Sequence, residues 1–286
     1  MIVFVLQDYN RVSSFVRGTQ VAQYLENVVV CSINDFERKL PKQKSLVIII
    51  KQFDLGMAKK IRSRGHVVAY DVVDAPTYNF GDDAIPEFKA YDIIIAPTTN
   101  YALKVSQTNN GQLAVAIPHH TLNFERHINE FKTEQLTLGY VGMFNENAHV
   151  DKIKELAADR KVRFLVGNPN TRKACIDLFK QIDVSFSYTD APRGRLLKPN
   201  EKLSNGQSFG IPMVCSPHSS YLEYGGEPGE TWISADTGVQ LVDRIDELLT
   251  NHDLRARIRE NGLAAGEKLH IKNVAALYDD LRKKVL

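Results

Sequence analysis

The sequence predicts an α/β protein of two doubly wound parallel sheets, and three observations lead there. Short runs rich in β-branched residues alternate with segments of helical periodicity. The runs are continuously apolar, as strands covered on both faces are. The whole layout occurs twice, in a chain whose 286 residues suit two domains of about 100 to 150 residues each.

In the first half, strands are expected at 2–6 (IVFVL), 28–31 (VVVC), 46–50 (LVIII), 67–70 (VVAY), 92–96 (DIIIA) and 113–117 (LAVAI). Helices fall between them. One spans 13–26, with Phe15, Val16, Val21, Ala22 and Leu25 near one face; another spans 54–65, closed by Gly65. The pattern restarts at 136–142 (LTLGYVG), and further strands are expected at 162–167, 183–188, 212–216 and 231–234. Helices at 149–160, at 172–182 and from about Lys202 separate them. The tail is helical over 239–249, 253–262 and 270–286; in the last, Val274, Leu277, Tyr278, Leu281 and Val285 recur at spacings of three and four.

The polar stretch 123–135 (NFERHINEFKTEQ) reads as the linker. The expected domains are therefore 1–130 and 131–286, facing each other across a cleft. Ligands of such sheets sit outside the carboxyl ends of the strands.

Composition narrows the function classes. Hydrophobic residues make up 43% and charged residues 24%, which places the chain among soluble globular proteins. A net charge of +2 gives no reason to expect nucleic acid as a partner. Cys31, Cys175 and Cys215 are far apart and form no CxxC, so three reduced thiols and a cytoplasmic location are expected. The N-terminus MIVFVLQDYN has no basic stretch before its apolar run and reads as a first strand, not a signal peptide. No Gly-x-Gly, Walker A, Gly-x-Ser-x-Gly or His-Glu-x-x-His motif occurs. His119 and His120 are adjacent and would point apart on a strand, so no shared metal is expected; they read as polar linker residues.

Several segments carry a family likeness. LTLGYVGMFNENAHVDKIKEL opens the second half, and FKQIDVSFSYTDAPRGRLLKPNEKLSNGQSFGIPMVCSPHSSYLEY follows it. With this order the chain resembles the GT-B glycosyltransferases, family 4 in particular. Lys198, Pro199, Lys202, Leu203, Gly210, Ile211, Pro212, Val214 and Ser216 fall on that family's K-P-s-N-K-l-l-E-a-m-a-x-G-x-P-V-V-a-S pattern. VVAYDVVDAPTY (67–78) resembles the Y-D-x-x-D segment of some members, and YDIIIAPT (91–98) their "aDlviaps". VAIPHHTLN (115–123) stands where I-P-N-G-V-D is usual.

The resemblance implies the GT-B fold and transfer of a sugar from a nucleoside-diphosphate donor to a hydroxyl acceptor. It implies retention of anomeric configuration, no metal and no cofactor beyond the donor itself. The donor would bind the second domain and the acceptor the first, with the final helix, 270–286, crossing back to the first. The acceptor, whether glycan, lipid or small molecule, is open, and so is peripheral membrane contact. Two other readings stand beside it: a catalytically weak or silent sugar-binding or partner subunit, and a GT-B epimerase or phosphorylase.

Two departures from the family pattern matter. The usual Arg and Lys after the first strand of the second domain are replaced near Met143 and His149, and the Glu-x7-Glu pair by Leu197 and Asn205. Arg193, Arg195, Lys198 and Lys202 are the cations expected to compensate at the diphosphate. Asn205 is either a retained ribose contact or a polar helix residue without a ligand. Ser219, Ser220 and Glu223 complete the expected donor site, with His218 nearby. In the first domain, Asp71 and Arg11 are expected on the acceptor, with Arg17 a further cation beside them. Asp74 is a base candidate if the reaction inverts, and His119 a second catalytic candidate.

Overall fold

The computed structural model describes residues 1–9, 12–73, 88–142, 148–189 and 199–286. They form two compact units, one holding Met1–His119 and Ile271–Leu286, the other His120–Leu196 and Asn200–His270.

The first unit is built on six parallel strands: β1 (Ile2–Leu6), β2 (Val28–Ser32), β3 (Leu46–Ile50), β4 (Val67–Asp71), β5 (Ile93–Ala96) and β6 (Ala114–Ala116). They lie in the order β2-β1-β3-β4-β5-β6. Alternation along each strand sends Val3, Val5, Val47 and Ile49 to one core and Ile2, Phe4, Leu6, Leu46, Ile48 and Ile50 to the other. The uninterrupted apolar runs follow from these two covered faces. On the first face lie α3 (Leu55–Ser63) and α4 (Thr99–Thr108), through Met57, Ala58 and Ile61 and through Tyr101, Ala102 and Val105. Asp54 and Thr98 cap them, accepting from Met57 N at 2.8 Å and Tyr101 N at 3.1 Å. The short α2 (Phe36–Lys39) adds Phe36 to the same core. The second face is covered by Val21 and Ala22 and by the C-terminal helix α11 (Ile271–Val285), which buries Val274, Ala275, Tyr278 and Leu281.

The helix expected at 13–26 is shorter and wider than its periodicity suggests. α1 runs Val12–Ser14 and opens into a π-helical turn over Phe15–Gln20. A Cβ on Gly18 would lie 2.4 Å from Leu6 and 2.9 Å from Ile50, so the turn rests directly on the sheet. Phe15 is left 38% exposed while Arg17 is 1% exposed, the reverse of what hydrophobicity predicts.

The second unit has five parallel strands: β7 (Thr137–Val141), β8 (Arg163–Gly167), β9 (Val184–Ser187), β10 (Met213–Cys215) and β11 (Ile233–Ser234), in the order β11-β10-β9-β7-β8. One face packs against α5 (Ala148–Asp159), α9 (Gly238–Thr250) and the start of α10 (His252–Lys268). The other meets α6 (Arg172–Phe179), α7 (Glu201–Ser208) and α8 (Ser219–Tyr224), with Trp232 fully buried.

Glycine misleads in α10. Gly262 reads as a stop, yet the helix continues to Lys268 because its glycines are contact residues where α10 crosses α7. A Cβ on Gly266 would sit 2.8 Å from the Ser208 amide nitrogen. The stretch 123–135 contains no regular element, and its polar side chains bind the second unit's backbone. Asn123 Nδ2 donates to His127 O and Ser208 O, both at 2.7 Å, and Asn129 Nδ2 to Phe179 O and Ile182 O, both at 2.9 Å.

Because the clash at Gly266 is with backbone, Gly266→Ala is expected to cost about 1–3 kcal/mol despite its gain in helix propensity. Urea denaturation of the variant against wild type checks this.

Candidate functional site

In the second unit the parallel strands bring their carboxyl ends to one edge of the sheet. Gly142 follows β7 directly there, at φ +131°, a left-handed backbone that glycine takes without strain. A Cβ at Gly142 would lie 3.1 Å from Lys202 Cε and 3.2 Å from Lys202 Nζ. Lys202 therefore reaches from the first turn of α7 across the end of β7. Its ammonium donates to the Tyr140 hydroxyl and lies over the Tyr140 ring, 4.2 Å from the centroid. Among the described residues no carboxylate pairs with it. Burial brings this amine down to about 8, while Cys215 and Glu201 oppose the shift more weakly. Tyr140 was not singled out by the sequence; its place two residues before the glycine that follows the strand is the signal that marks it.

The loop after β10 is tied to the same edge. Ser216 Oγ accepts from Thr189 N at 3.0 Å and lies 3.3 Å from His218 Nε2. The His218 ring meets Tyr221 edge-on at 4.6 Å, and the Tyr221 hydroxyl is 3.2 Å from Ser187 Oγ at the end of β9. Ser219 and Ser220 begin α8 and are buried; Ser220 Oγ has no hydrogen-bond partner among the described residues. Glu223, on the same short helix, is half-buried. His149 also lies at this edge, its ring 2.0–2.2 Å from where a Cβ on Gly238 would stand and edge-on to Tyr188 at 5.8 Å. Only a glycine at the start of α9 leaves room for that ring. Met143, Arg193, Arg195, Leu197 and Lys198 lie outside the described residues.

Asn205 and Gln207 have structural partners. Asn205 Oδ1 accepts from Leu122 N at 2.7 Å, and Gln207 Nε2 donates to Gly225 O at 2.6 Å. Both side chains are buried and pin loops to α7. The oxygen a ribose hydroxyl would use on Asn205 is thus engaged by main chain.

In the first unit, Asp71 ends β4 with no exposed surface. Its Oδ2 accepts from Arg17 Nε at 3.0 Å and from the Tyr278 hydroxyl at 3.0 Å, with Arg17 Nη2 at 2.9 Å; its Oδ1 accepts from Val73 N at 3.2 Å. Arg17 Nη1 also donates to Pro118 O at 2.7 Å. Burial beside the Asp71 carboxylate holds the Tyr278 phenol well above its ordinary range, so it donates as a neutral group. His119, next to Pro118, and His120 are each 1% exposed, which corrects their reading as polar linker residues: the backbone after β6 is interior. Arg11 and Asp74 lie outside the described residues.

Two stability predictions follow from these groups. Asp71→Asn leaves the Arg17 guanidinium buried without its counter-charge and is expected to cost about 3–5 kcal/mol by urea denaturation. Lys202 acts in the opposite sense, because its native value of about 8 lies below the ordinary 10.5. Below about pH 8 both states are charged, and native burial then costs stability, at most on the order of 3 kcal/mol. That cost is relieved as pH rises towards about 10, where the unfolded state still holds the proton. Lys202→Met is therefore expected to melt several degrees above wild type at neutral pH, with a smaller gain at about pH 10, measured by calorimetry.

No protein-family model matches the chain, and no curated protein matches it in sequence. Solved structures do. HepE of Anabaena, in complex with UDP and glucose, superposes with a TM-score of 0.66 at 12% identity, covering 100% of this chain and 99% of that one. The GtfA/B complex gives 0.60 at 12% identity, over 96% of this chain and 60% of that one. Sucrose-phosphate synthase from Thermosynechococcus elongatus gives 0.58 at 11% identity, over 84% of this chain and 73% of that one. At this identity the likeness is one of fold, and the two parallel α/β units have the GT-B fold.

Proposed function

We propose that this chain is a glycosyltransferase that binds a nucleoside-diphosphate sugar at the carboxyl edge of its second sheet and transfers the sugar to a hydroxyl acceptor. The observation that carries the reading is Lys202, an ammonium without a described carboxylate partner, set beside the bare backbone of Gly142 in a fold whose HepE member is solved with UDP-glucose. Charge grows on the leaving diphosphate in the transition state, and a fixed cation stabilises it. A charge-assisted hydrogen bond from such a lysine contributes about 1.5–3 kcal/mol.

Ser219, Ser220 and Glu223 share the edge and suit the sugar and phosphates; Arg193, Arg195 and Lys198 are proposed as further cations. Family 4 membership, hexosyl transfer, retention of configuration, independence of metal and a cytoplasmic site of action belong to the same proposal. So does an acceptor bound by the first unit with Arg11, Asp74 and His119. Asp71 is withdrawn from that set in favour of its buried ion pair.

One observation favours a second reading, a silent nucleotide-sugar-binding subunit: the Asn205 oxygen is engaged by Leu122 N, which weakens the expected grip on ribose. Calorimetric titration with UDP-, GDP-, ADP- and dTDP-glucose separates the cases. One donor is expected to bind at micromolar concentration and to bind Lys202→Met about tenfold to a hundredfold more weakly. Binding with no release of nucleotide across a panel of hydroxyl acceptors would favour the silent subunit. No binding at millimolar concentration would end both readings.

A further inference from the structure

We propose that donor binding at this site is coupled to proton uptake: the Lys202 amine, held between the Tyr140 phenol and the bare backbone of Gly142, grips the diphosphate only as the ammonium and collects a proton as the diphosphate arrives. The inference rests on the donor-site reading above and adds a proton to its stoichiometry.

The geometry sets Lys202 apart from the other interior cations. Arg17 has Asp71, Arg172 has Glu125 and the Leu122 carbonyl, and Arg255 has the carbonyls of Leu248 and Leu249. Among the described residues Lys202 has one hydrogen-bond partner, the Tyr140 hydroxyl, and one ring face. No carboxylate is paired with it there.

Among the described residues, Tyr140 faces it from β7, the Cys215 thiol lies near it from β10 and Glu201 precedes it on α7, with Tyr221 on α8 beside Cys215, Tyr140 and Glu201. Burial pushes the Cys215 thiol and the Tyr221 phenol up, so neither is an anion near neutral pH. Among the described residues Cys215 and Glu201 act against the shift, and burial outweighs both, leaving the amine at about 8.

A diphosphate beside Nζ reverses that balance. It brings negative charge into the desolvated space and restores the amine towards its ordinary range. Below pH 8 the site is already charged and little proton moves. Above it the free site is neutral, and each binding event must draw a proton from solvent, so affinity falls as pH rises.

UDP-, GDP-, ADP- and dTDP-glucose suit the test, because their esterified diphosphates lack the phosphate proton that titrates near about pH 6. Binding heats for whichever of the four binds are measured at pH 7 and pH 8.5, each in two buffers of different ionisation enthalpy. The expected result is less uptake at pH 7 than at pH 8.5, where a substantial fraction of a proton is taken up, and affinity falling towards tenfold per pH unit above that. Lys202→Arg keeps a permanent charge and is expected to bind with neither uptake nor pH dependence. Lys202→Met is expected to bind weakly at both pH values without uptake, its melting temperature showing that it folds.

Binding without uptake in wild type, or uptake that survives in Lys202→Arg, would overturn the inference and leave the donor site standing. Failure of all four donors to bind at millimolar concentration would overturn the donor-site reading and this inference together.

Discussion

A parallel sheet covered on both faces leaves the ends of its strands as the places where polar side chains can gather without breaking a core. Both units obey this constraint, and they use it in opposite ways. At the end of β4 the first unit seals a carboxylate inside an ion pair, with Arg17, Tyr278 and the amide of Val73 taking its oxygens. At the end of β7 the second unit leaves an amine with a phenol for company. A strand end holds a sealed ion pair in one unit and, among the described residues, a lysine with no carboxylate partner in the other.

That difference has an energetic signature. A sealed pair is costly to break and conveys little to a ligand, since its charges already satisfy each other. A half-buried ammonium without a counter-ion destabilises the free fold and is relieved when an anion arrives. Sites of this kind hold strain that binding releases, so the most stable sequence and the most useful one part company at such a residue. The bare backbone at Gly142 belongs to the same logic, because a side chain there would press on the lysine it faces.

Much of the fold was readable in the sequence, because two-sided burial leaves an unmistakable trace: LVIII and IVFVL have no polar position to offer solvent. Where tertiary contact overrides local pattern, reading fails. Phe15 looks like a core residue and is half-exposed, because the turn beneath it widens to seat Arg17. Gly262 looks like a helix end and is a helix crossing. Asn123, Asn129, Asn205 and Gln207 look like surface or ligand residues, yet each bonds a distant stretch of main chain, information that no local window contains. Of the candidate site, Lys202 was readable through its family pattern, while Tyr140 became visible only when the strand end and the helix start were seen together. Asp71 stands out in the sequence as a carboxylate at a strand end, while the arginine buried beside it lies 54 positions away, beyond any local reading.

The helix α11 has a consequence for how the molecule is made. Val274, Ala275, Tyr278 and Leu281 fill a core whose other walls are strands from the first fifty and later residues of the chain, and Tyr278 supplies a hydrogen bond to Asp71 across 207 positions. A nascent chain emerging from the ribosome can assemble the second unit while the first still shows one apolar sheet face to solvent. Folding of the first unit is completed by residues that follow the whole of the second in sequence, the kind of long-range closure that slows folding.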